Sequence, residues 1–226
     1  MHASPGSDEL HSEARSATTA GHPPRLVLAS RSPRRSAVLE QLGLAFLLRP
    51  ADVDETPRTG ESPGELADRL ARAKASAAVR PGELAFGFDT VVELDGDILG
   101  KPGSTTEAVE MIERLGGRTH RVYSGIAAAA DGRVESALER TIVKFRRVRS
   151  EEAEAYVATG EPLDKAGAYG IQGVGAALVE RVEGDFFNVM GFPIQRFQDL
   201  LVRFGWRYGF GEILAVADVP RASRPA

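Results

Sequence analysis

Leu26-Val-Leu-Ala29, Ser30-Arg-Ser-Pro-Arg-Arg35 and Ser36-Ala-Val-Leu-Glu-Gln-Leu-Gly43 read in succession as a buried strand, a tight loop and a helix. Ser32 is the expected N-cap, Pro33 suits the first helical position, and Gly43 ends the helix. Val38, Leu39 and Leu42 give the helix one apolar side. Its first turn breaks a local rule: carboxylates suit the positive end of a helix dipole, and Arg34 and Arg35 stand there instead. Amide N–H groups, hydroxyls and two guanidinium groups meeting at one point would hold a polyanion, a phosphate chain above all. The other reading is a solvated Arg pair on a surface helix, and these residues alone do not separate the two.

The composition narrows the choice. At 226 residues with 42% hydrophobic content, the chain can bury one sizeable core or two smaller lobes. A net charge of −4 argues against a broad basic face for DNA or RNA, while leaving room for a small basic pocket. The absence of cysteine excludes disulfides, thiolate metal sites and a cysteine nucleophile. His2, His11 and His22 lie near the N-terminus and only His120 in the body of the chain, so any metal is expected on oxygen ligands, as Mg²⁺ or Mn²⁺. No apolar run matches a membrane span, and the first residues lack a signal pattern. The expectation is a cytoplasmic protein without membrane partners.

Residues 1–24 are Ser-, Ala-, Gly- and Pro-rich, the composition of a disordered tail. Ala45–Leu48 reads as a short strand, followed by the acidic loop Asp52-Val-Asp-Glu-Thr56. A carboxylate there can hold a divalent ion or activate water, or the loop is an ordinary acidic turn. Ser62-Pro-Gly-Glu65 is a capping box opening a helix with Leu66, Leu70, Ala73 and Ala77 on its apolar side. Lys74 lies beside that stripe, placed either to snorkel or to reach into a cleft.

Residues 84–102 carry the second strong signal. Leu84-Ala-Phe-Gly-Phe88, Asp89-Thr90 and Val91-Val-Glu-Leu94 form a strand, Asp95-Gly96 is a type I′ turn, and Asp97–Pro102 returns. The register pairs 94 with 97, 92 with 99 and 90 with 101, which would set Lys101 beside Asp89. An Asp in an apolar strand needs a partner or a metal, so the pair is either structural or part of a phosphate site. Ser104-Thr-Thr-Glu107 is a further capping box, with Ala108, Met111, Ile112 and Leu115 as its stripe and Gly116-Gly117 as its stop. Strands are expected over Thr119–Ala130 and Thr141–Val148 around a turn at Asp131-Gly132, and a helix over Ser150–Thr159. His120 is expected as a strand residue with its ring satisfied. Glu161–Gly173 is Gly-rich but matches no phosphate-loop pattern, and reads as backbone that must come close to something. Gln172 offers a paired donor and acceptor to a base edge. A strand over Ala176–Val182 is expected to return over Asp185–Met190, before an amphipathic helix from Pro193 with Ile194, Phe197, Leu201 and Phe204 on one face. Residues after Gly205 carry no clear signal.

Taken in order, Ser30-Arg-Ser-Pro-Arg-Arg35, Asp54-Glu55, Ala71-Arg-Ala-Lys-Ala75, Asp89-Thr-Val-Val92, Gly100-Lys-Pro102, Thr119-His120, Thr159-Gly-Glu-Pro162, Asp164-Lys-Ala-Gly-Ala-Tyr-Gly-Ile-Gln-Gly173 and Asn188-Val-Met-Gly-Phe-Pro193 resemble the Maf family of nucleoside triphosphate pyrophosphatases. The resemblance implies an elongated α/β fold over residues 25–205, Maf/ITPase-like, with a mixed β-sheet, flanking helices and two lobes around a deep nucleotide-binding cleft. Residues 206–226 would be a C-terminal extension. It implies hydrolysis of a nucleoside triphosphate to the monophosphate and pyrophosphate with Mg²⁺ or Mn²⁺. By position, Ser30, Arg34, Lys74 and Lys101 would hold the triphosphate, and Glu55 and Asp89 would bind metal or activate water, either being the base. Ser30 is not read as a nucleophile, because no motif places a base beside it.

The dTTP/UTP-selective branch of that family resembles this chain at Arg35, Thr90 and Gln172, the residues expected to recognise the base. The branch favouring 7-methyl-GTP usually has Gln after the site Asp. Phe88, Phe186-Phe187 and Phe192 depart from the usual Ala, Tyr and Leu. The expected function is a house-cleaning pyrophosphatase acting on dTTP, UTP and modified pyrimidine nucleotides, with room for a homodimer. The alternatives are a nucleotide-binding regulator of cell division that acts without turnover, and a 7-methyl-GTP-selective enzyme.

Overall fold

The computed structural model describes residues 22–216. The tail expected over residues 1–24 lies outside the described residues except for 22–24, as do residues 217–226. The opening stretch forms β1 (Arg25–Ala29), α1 (Pro33–Gln41) and β2 (Phe46–Leu48), followed by α2 (Pro63–Ala78), β3 (Glu83–Leu94), β4 (Asp97–Leu99) and α3 (Thr105–Leu115). Next come β5 (Thr119–Ala130), β6 (Arg133–Phe145), α4 (Ser150–Val157), short 3-10 turns between 161 and 178, and β7 (Val179–Glu183). α5 (Phe186–Val189), α6 (Ile194–Arg203), β8 (Trp206–Tyr208) and β9 (Ile213–Ala215) complete it. Seven strands make one mixed sheet in the order β2-β1-β3-β5-β6-β7, with β4 on β3. β1 runs parallel to β2 and β3, and the other pairs are antiparallel. Among the described residues no helix is long and apolar enough to cross a membrane.

Local chemistry accounts for most boundaries. Ser62 accepts from the Glu65 amide while Glu65 accepts from the Ser62 amide, a complete capping box. At α3 only half of the box forms: Ser104 caps Glu107, but the Glu107 carboxylate accepts from the Gly103 amide at 2.6 Å. Ser32 makes no side-chain cap at all, which leaves the first-turn amides of α1 without a side-chain acceptor. Asp95 and Gly96 take φ of 53° and 94°, the type I′ turn that matches strand twist.

Four expectations are corrected. The return strand starts at Arg133, directly after the Asp131-Gly132 turn, and not at Thr141. Residues 133–140 are exposed or half-buried throughout, so their strand state rests on continuous pairing to β5 more than on burial. Asp185–Met190 is not a strand: the Asp185 carboxylate accepts from the Phe187 amide at 2.8 Å and starts α5. The stripe of α2 is Leu66, Ala67, Leu70, Ala71, Lys74, Ala75 and Ala78, with Ala77 exposed. Residues after Gly205 have a place: β8 and β9 form a hairpin whose Tyr208 hydroxyl donates to the Leu42 carbonyl at 2.8 Å.

The two faces of the sheet pack differently. The main core, with Leu28, Phe86, Phe88, Ile126, Phe192, Phe197 and Leu200, fills one face. α2 lies on the other with backbone almost touching backbone. A Cβ on Gly87 would lie 2.2 Å from the Ala71 carbonyl oxygen, and one on Gly125 would lie 2.2 Å from that of Ala67. Ala67, Ala71 and Ala75, four apart, present the smallest side chains to that contact. Gly87→Ala should therefore force α2 off the sheet and cost about 3 kcal/mol, a fall in Tm of about 6–12 °C in a thermal melt. An unchanged Tm would show that the helix is free to shift.

His120 is 1% exposed and sits edge-on to Phe145 and Tyr169. Its Nε2 meets the Tyr169 hydroxyl at 2.8 Å, but its Nδ1 is buried without a partner, so the ring is only half satisfied. Burial lowers His120 from 6.5 to about 4, the charge of Glu93 opposing. Between those values the unfolded chain takes up a proton that the folded chain refuses. Stability is thus full above pH 6.5 and lost as pH falls towards 4, by about 3 kcal/mol. Melts across that range should show this slope in the wild type and lose it in His120→Gln.

Candidate active site

β3 is flanked on one side by β1 as far as Gly87 and by β4 only from Val92. Phe88–Val91 therefore have no ladder partner on that side among the described residues. A cleft of about 550 Å³ opens at this gap, and it is lined by Ser30, Arg34, Arg35, Glu55, Lys74, Asp89, Thr90, Lys101 and Gln172 together. Because side chains alternate along a strand, Gly87, Asp89 and Val91 face α2, whereas Phe88, Thr90 and Val92 face the main core.

On the α2 side, Lys74 extends from the buried stripe so that Nζ lies 2.7 Å from Asp89 Oδ1 and 2.6 Å from Glu55 Oε1. Its position on the stripe is what lets a lysine enter the cleft rather than snorkel outward. The partner of Asp89 is thus Lys74 from α2. Lys101, expected beside Asp89 through a 90–101 pairing, is not, because β4 ends at Leu99 and the ladder stops at the 92–99 pair. Lys101 still lines the cleft, exposed and beyond the strand end. The Asp89 side chain is 13% exposed and that of Glu55 55%. Burial raises the Asp89 carboxyl above its ordinary range although Lys74 opposes the shift. For Glu55 burial pushes the same way, and the Lys74 hydrogen bond and charge outweigh it, so the net shift is downward.

On the core side, Arg35 is spent on the protein. Nε donates to the Gly191 carbonyl (2.9 Å), Nη1 to Ser30 Oγ (3.0 Å) and the Phe88 carbonyl (3.3 Å), and Nη2 to Thr90 Oγ1 (3.1 Å). Burial lowers this guanidinium to about 10, so it remains a cation at neutral pH. It braces two cleft residues and keeps little donor capacity for a ligand. Thr90 Oγ1 also meets Ser124 Oγ at 3.0 Å, and Ser124 donates to the Asn188 carbonyl. The Asn188 amide donates to Val122 and Thr141, while its Oδ1 is buried without a partner. Ser124 went unread in the sequence, and Asn188 was read only as the first residue of a motif. A serine directly opposite Thr90 in the ladder was the available signal, and it needed the β3–β5 register.

Ser30 Oγ accepts from the Ser32 amide at 3.1 Å, which shapes the loop before α1. Arg34 reaches across the cleft mouth to Asp164 at 3.4 Å, and Lys165 holds the other oxygen of that carboxylate at 2.6 Å. Asp164 and Lys165 line the cleft and were read only as part of a motif. Gln172 is exposed in the lining. Among the described residues no group of three or more His, Cys, Asp or Glu side chains gathers at one point. The two carboxylates at Lys74 match what Mg²⁺ takes from a protein when phosphates and water complete its octahedron. The donor set therefore fits a divalent ion that arrives with a polyphosphate.

Known proteins resemble this chain along most of its length. Residues 25–204 match the family model described as Maf-like protein. The chain is 46% identical over 184 residues to the dTTP/UTP pyrophosphatase of Symbiobacterium thermophilum, covering 80% of this chain and 95% of that one. It is 48% identical over 185 residues to the dTTP/UTP pyrophosphatase of Moorella thermoacetica, with the same coverage. Among solved structures, a HAM1 protein from Coxiella burnetii superposes with a TM-score of 0.41 at 20% identity, covering 56% of this chain and 75% of that one. With a matched family model spanning most of its length and relatives at this identity, the chain belongs to the Maf family.

Proposed function

We propose that the protein is a nucleoside triphosphate pyrophosphatase that hydrolyses dTTP and UTP to the monophosphate and pyrophosphate, a house-cleaning activity on the nucleotide pool. The observation that carries the reading is a half-buried Asp89 paired to Lys74 inside a cleft rimmed by Arg34 and Lys101. The names of its relatives support the substrate.

Each residue has a task that the chemistry needs. The uncapped amides of α1, with Ser30, Arg34, Lys74 and Lys101, take the charge of the triphosphate chain and of the leaving pyrophosphate. Asp89 is the better base of the two carboxylates, because its raised pKa gives it more affinity for the proton of an attacking water. Glu55, more exposed, would share with Asp89 in holding Mg²⁺ or Mn²⁺, which would supply further neutralisation of the phosphate oxygens. Thr90, braced by Arg35 and Ser124, and Gln172 face the base. A regulator without turnover would gain nothing from a carboxylate beside the phosphates.

Pyrophosphate release with Mg²⁺ or Mn²⁺ should be fastest for dTTP and UTP within a panel that includes CTP, ATP, GTP and 7-methyl-GTP. The matching monophosphate should be the co-product. Preference for 7-methyl-GTP would overturn the base assignment, and no release from any nucleotide would overturn the enzyme. Asp89→Asn should lower kcat by about 10²–10⁴-fold with no loss of Tm. Glu55 stays on the Lys74 ammonium in that variant and keeps it paired. Retained turnover in that variant would remove Asp89 from the mechanism.

A further inference from the structure

The Gly-rich run 170–175 faces the cleft through Gln172, yet its glycines answer to something inside the protein. A Cβ on Gly173 would lie 2.1 Å from Glu161 Oε2. One on Gly170 would lie 2.9 Å from Glu161 Oε1, and one on Gly175 would lie 2.4 Å from the Tyr156 hydroxyl. The chain wraps around one carboxylate. Glu161 Oε1 accepts from the Tyr156 hydroxyl (2.9 Å) and the Gly175 amide (3.1 Å), and Oε2 accepts from the Val174 amide (2.9 Å). The Tyr156 hydroxyl in turn accepts from the Gly170 amide at 3.0 Å. Both flanks of Gln172 are thereby tied down, Gly170 to α4 through Tyr156 and residues 174–175 to Glu161 in the 3-10 turn that follows α4. The Gln172 side chain makes no hydrogen bond to the described residues and lines the cleft, so its amide is held out by its neighbours and not by its own contacts.

We propose, on the basis of the pyrophosphatase assignment above, that Glu161 is a positioning residue for pyrimidine recognition. It does not touch the nucleotide, but it sets the backbone from which Gln172 reads the base edge. Both carboxylate oxygens are needed, because three donors converge on them. A glutamine there keeps the size and replaces one acceptor by a donor, which opposes an N–H or O–H that it should receive.

The test compares wild type, Glu161→Gln, Gln172→Ala and the double variant on dTTP, UTP and CTP, with the inhibition constant of inorganic pyrophosphate as a measure of the phosphate subsite. Glu161→Gln should raise KM for dTTP and UTP and erode their preference over CTP by about 10- to 100-fold, leaving the pyrophosphate constant within about twofold of wild type. The double variant should lose no more discrimination than Gln172→Ala alone, since the two act as one unit. A fall in Tm with base preference intact would overturn the proposal. So would equal changes in KM and the pyrophosphate constant, which would mean that the whole cleft had moved. Should Glu161→Gln not fold, Tyr156→Phe removes the link to the Gly170 amide and one of the three donors to Glu161, and leaves the Val174 and Gly175 amides on that carboxylate. It should shift base preference in the same direction, and unchanged preference would refute the inference. Absence of turnover by the wild type would count against the pyrophosphatase assignment itself, and the same comparison made on Kd for dTTP and CTP would then decide the role of Glu161.

Discussion

The ammonium of Lys74, held 2.6 Å from Glu55 and 2.7 Å from Asp89, is the interaction on which the site depends. A carboxylate as buried as Asp89 would cost the fold heavily without a counter-charge. The counter-charge must come from a helix, because the strand next to Asp89 stops short. That helix must approach the sheet closely enough for a lysine on its inner stripe to arrive at the gap. Gly87, Gly125 and the alanines of α2 exist to permit that approach. Packing on one face of the sheet and chemistry at its interrupted edge are thus a single requirement.

The gap between β1 and β4 has a second effect. A strand ordinarily shows its two faces to two separate environments. Here the missing neighbour lets consecutive residues of β3 line one cleft from opposite faces: Asp89 from the side of α2, and Thr90 from the side of the main core. The charge handling and base recognition proposed for these two residues can therefore be adjacent and still be supported by different parts of the protein. Lys74 and Glu55 support the first. Arg35, Ser124 and Asn188 support the second.

Much of this is legible in the sequence, and the reasons are local. The strand–loop–helix at 26–43, the Asp95-Gly96 turn, the Ser62 box and the stripe of α3 are each set by neighbours in sequence, and the nine residues picked out for the site line one cleft. What stayed hidden depends on pairing across the chain. The length of β4 decided that Lys101 would not meet Asp89. The half of β6 that is not buried is a strand because β5 pairs with it throughout. Asp185 caps a turn that alternation alone read as extended. The contacts of Glu161 could not be read because its partners lie at 156, 174 and 175, and the glycines suggested a close approach without saying to what.

The charges in the cleft have a consequence at longer range. Six basic side chains line it, Arg31, Arg34, Arg35, Lys74, Lys101 and Lys165, against three carboxylates, Glu55, Asp89 and Asp164, on a chain whose net charge is −4. The cleft is a positive spot on a negative molecule. Field lines from such an arrangement converge at the opening, so a small polyanion is drawn in over roughly a Debye length, about 8–10 Å at physiological salt, and is turned away elsewhere. The encounter rate is then governed by ionic strength as much as by fit, and the same focusing that hastens capture slows the departure of a charged product.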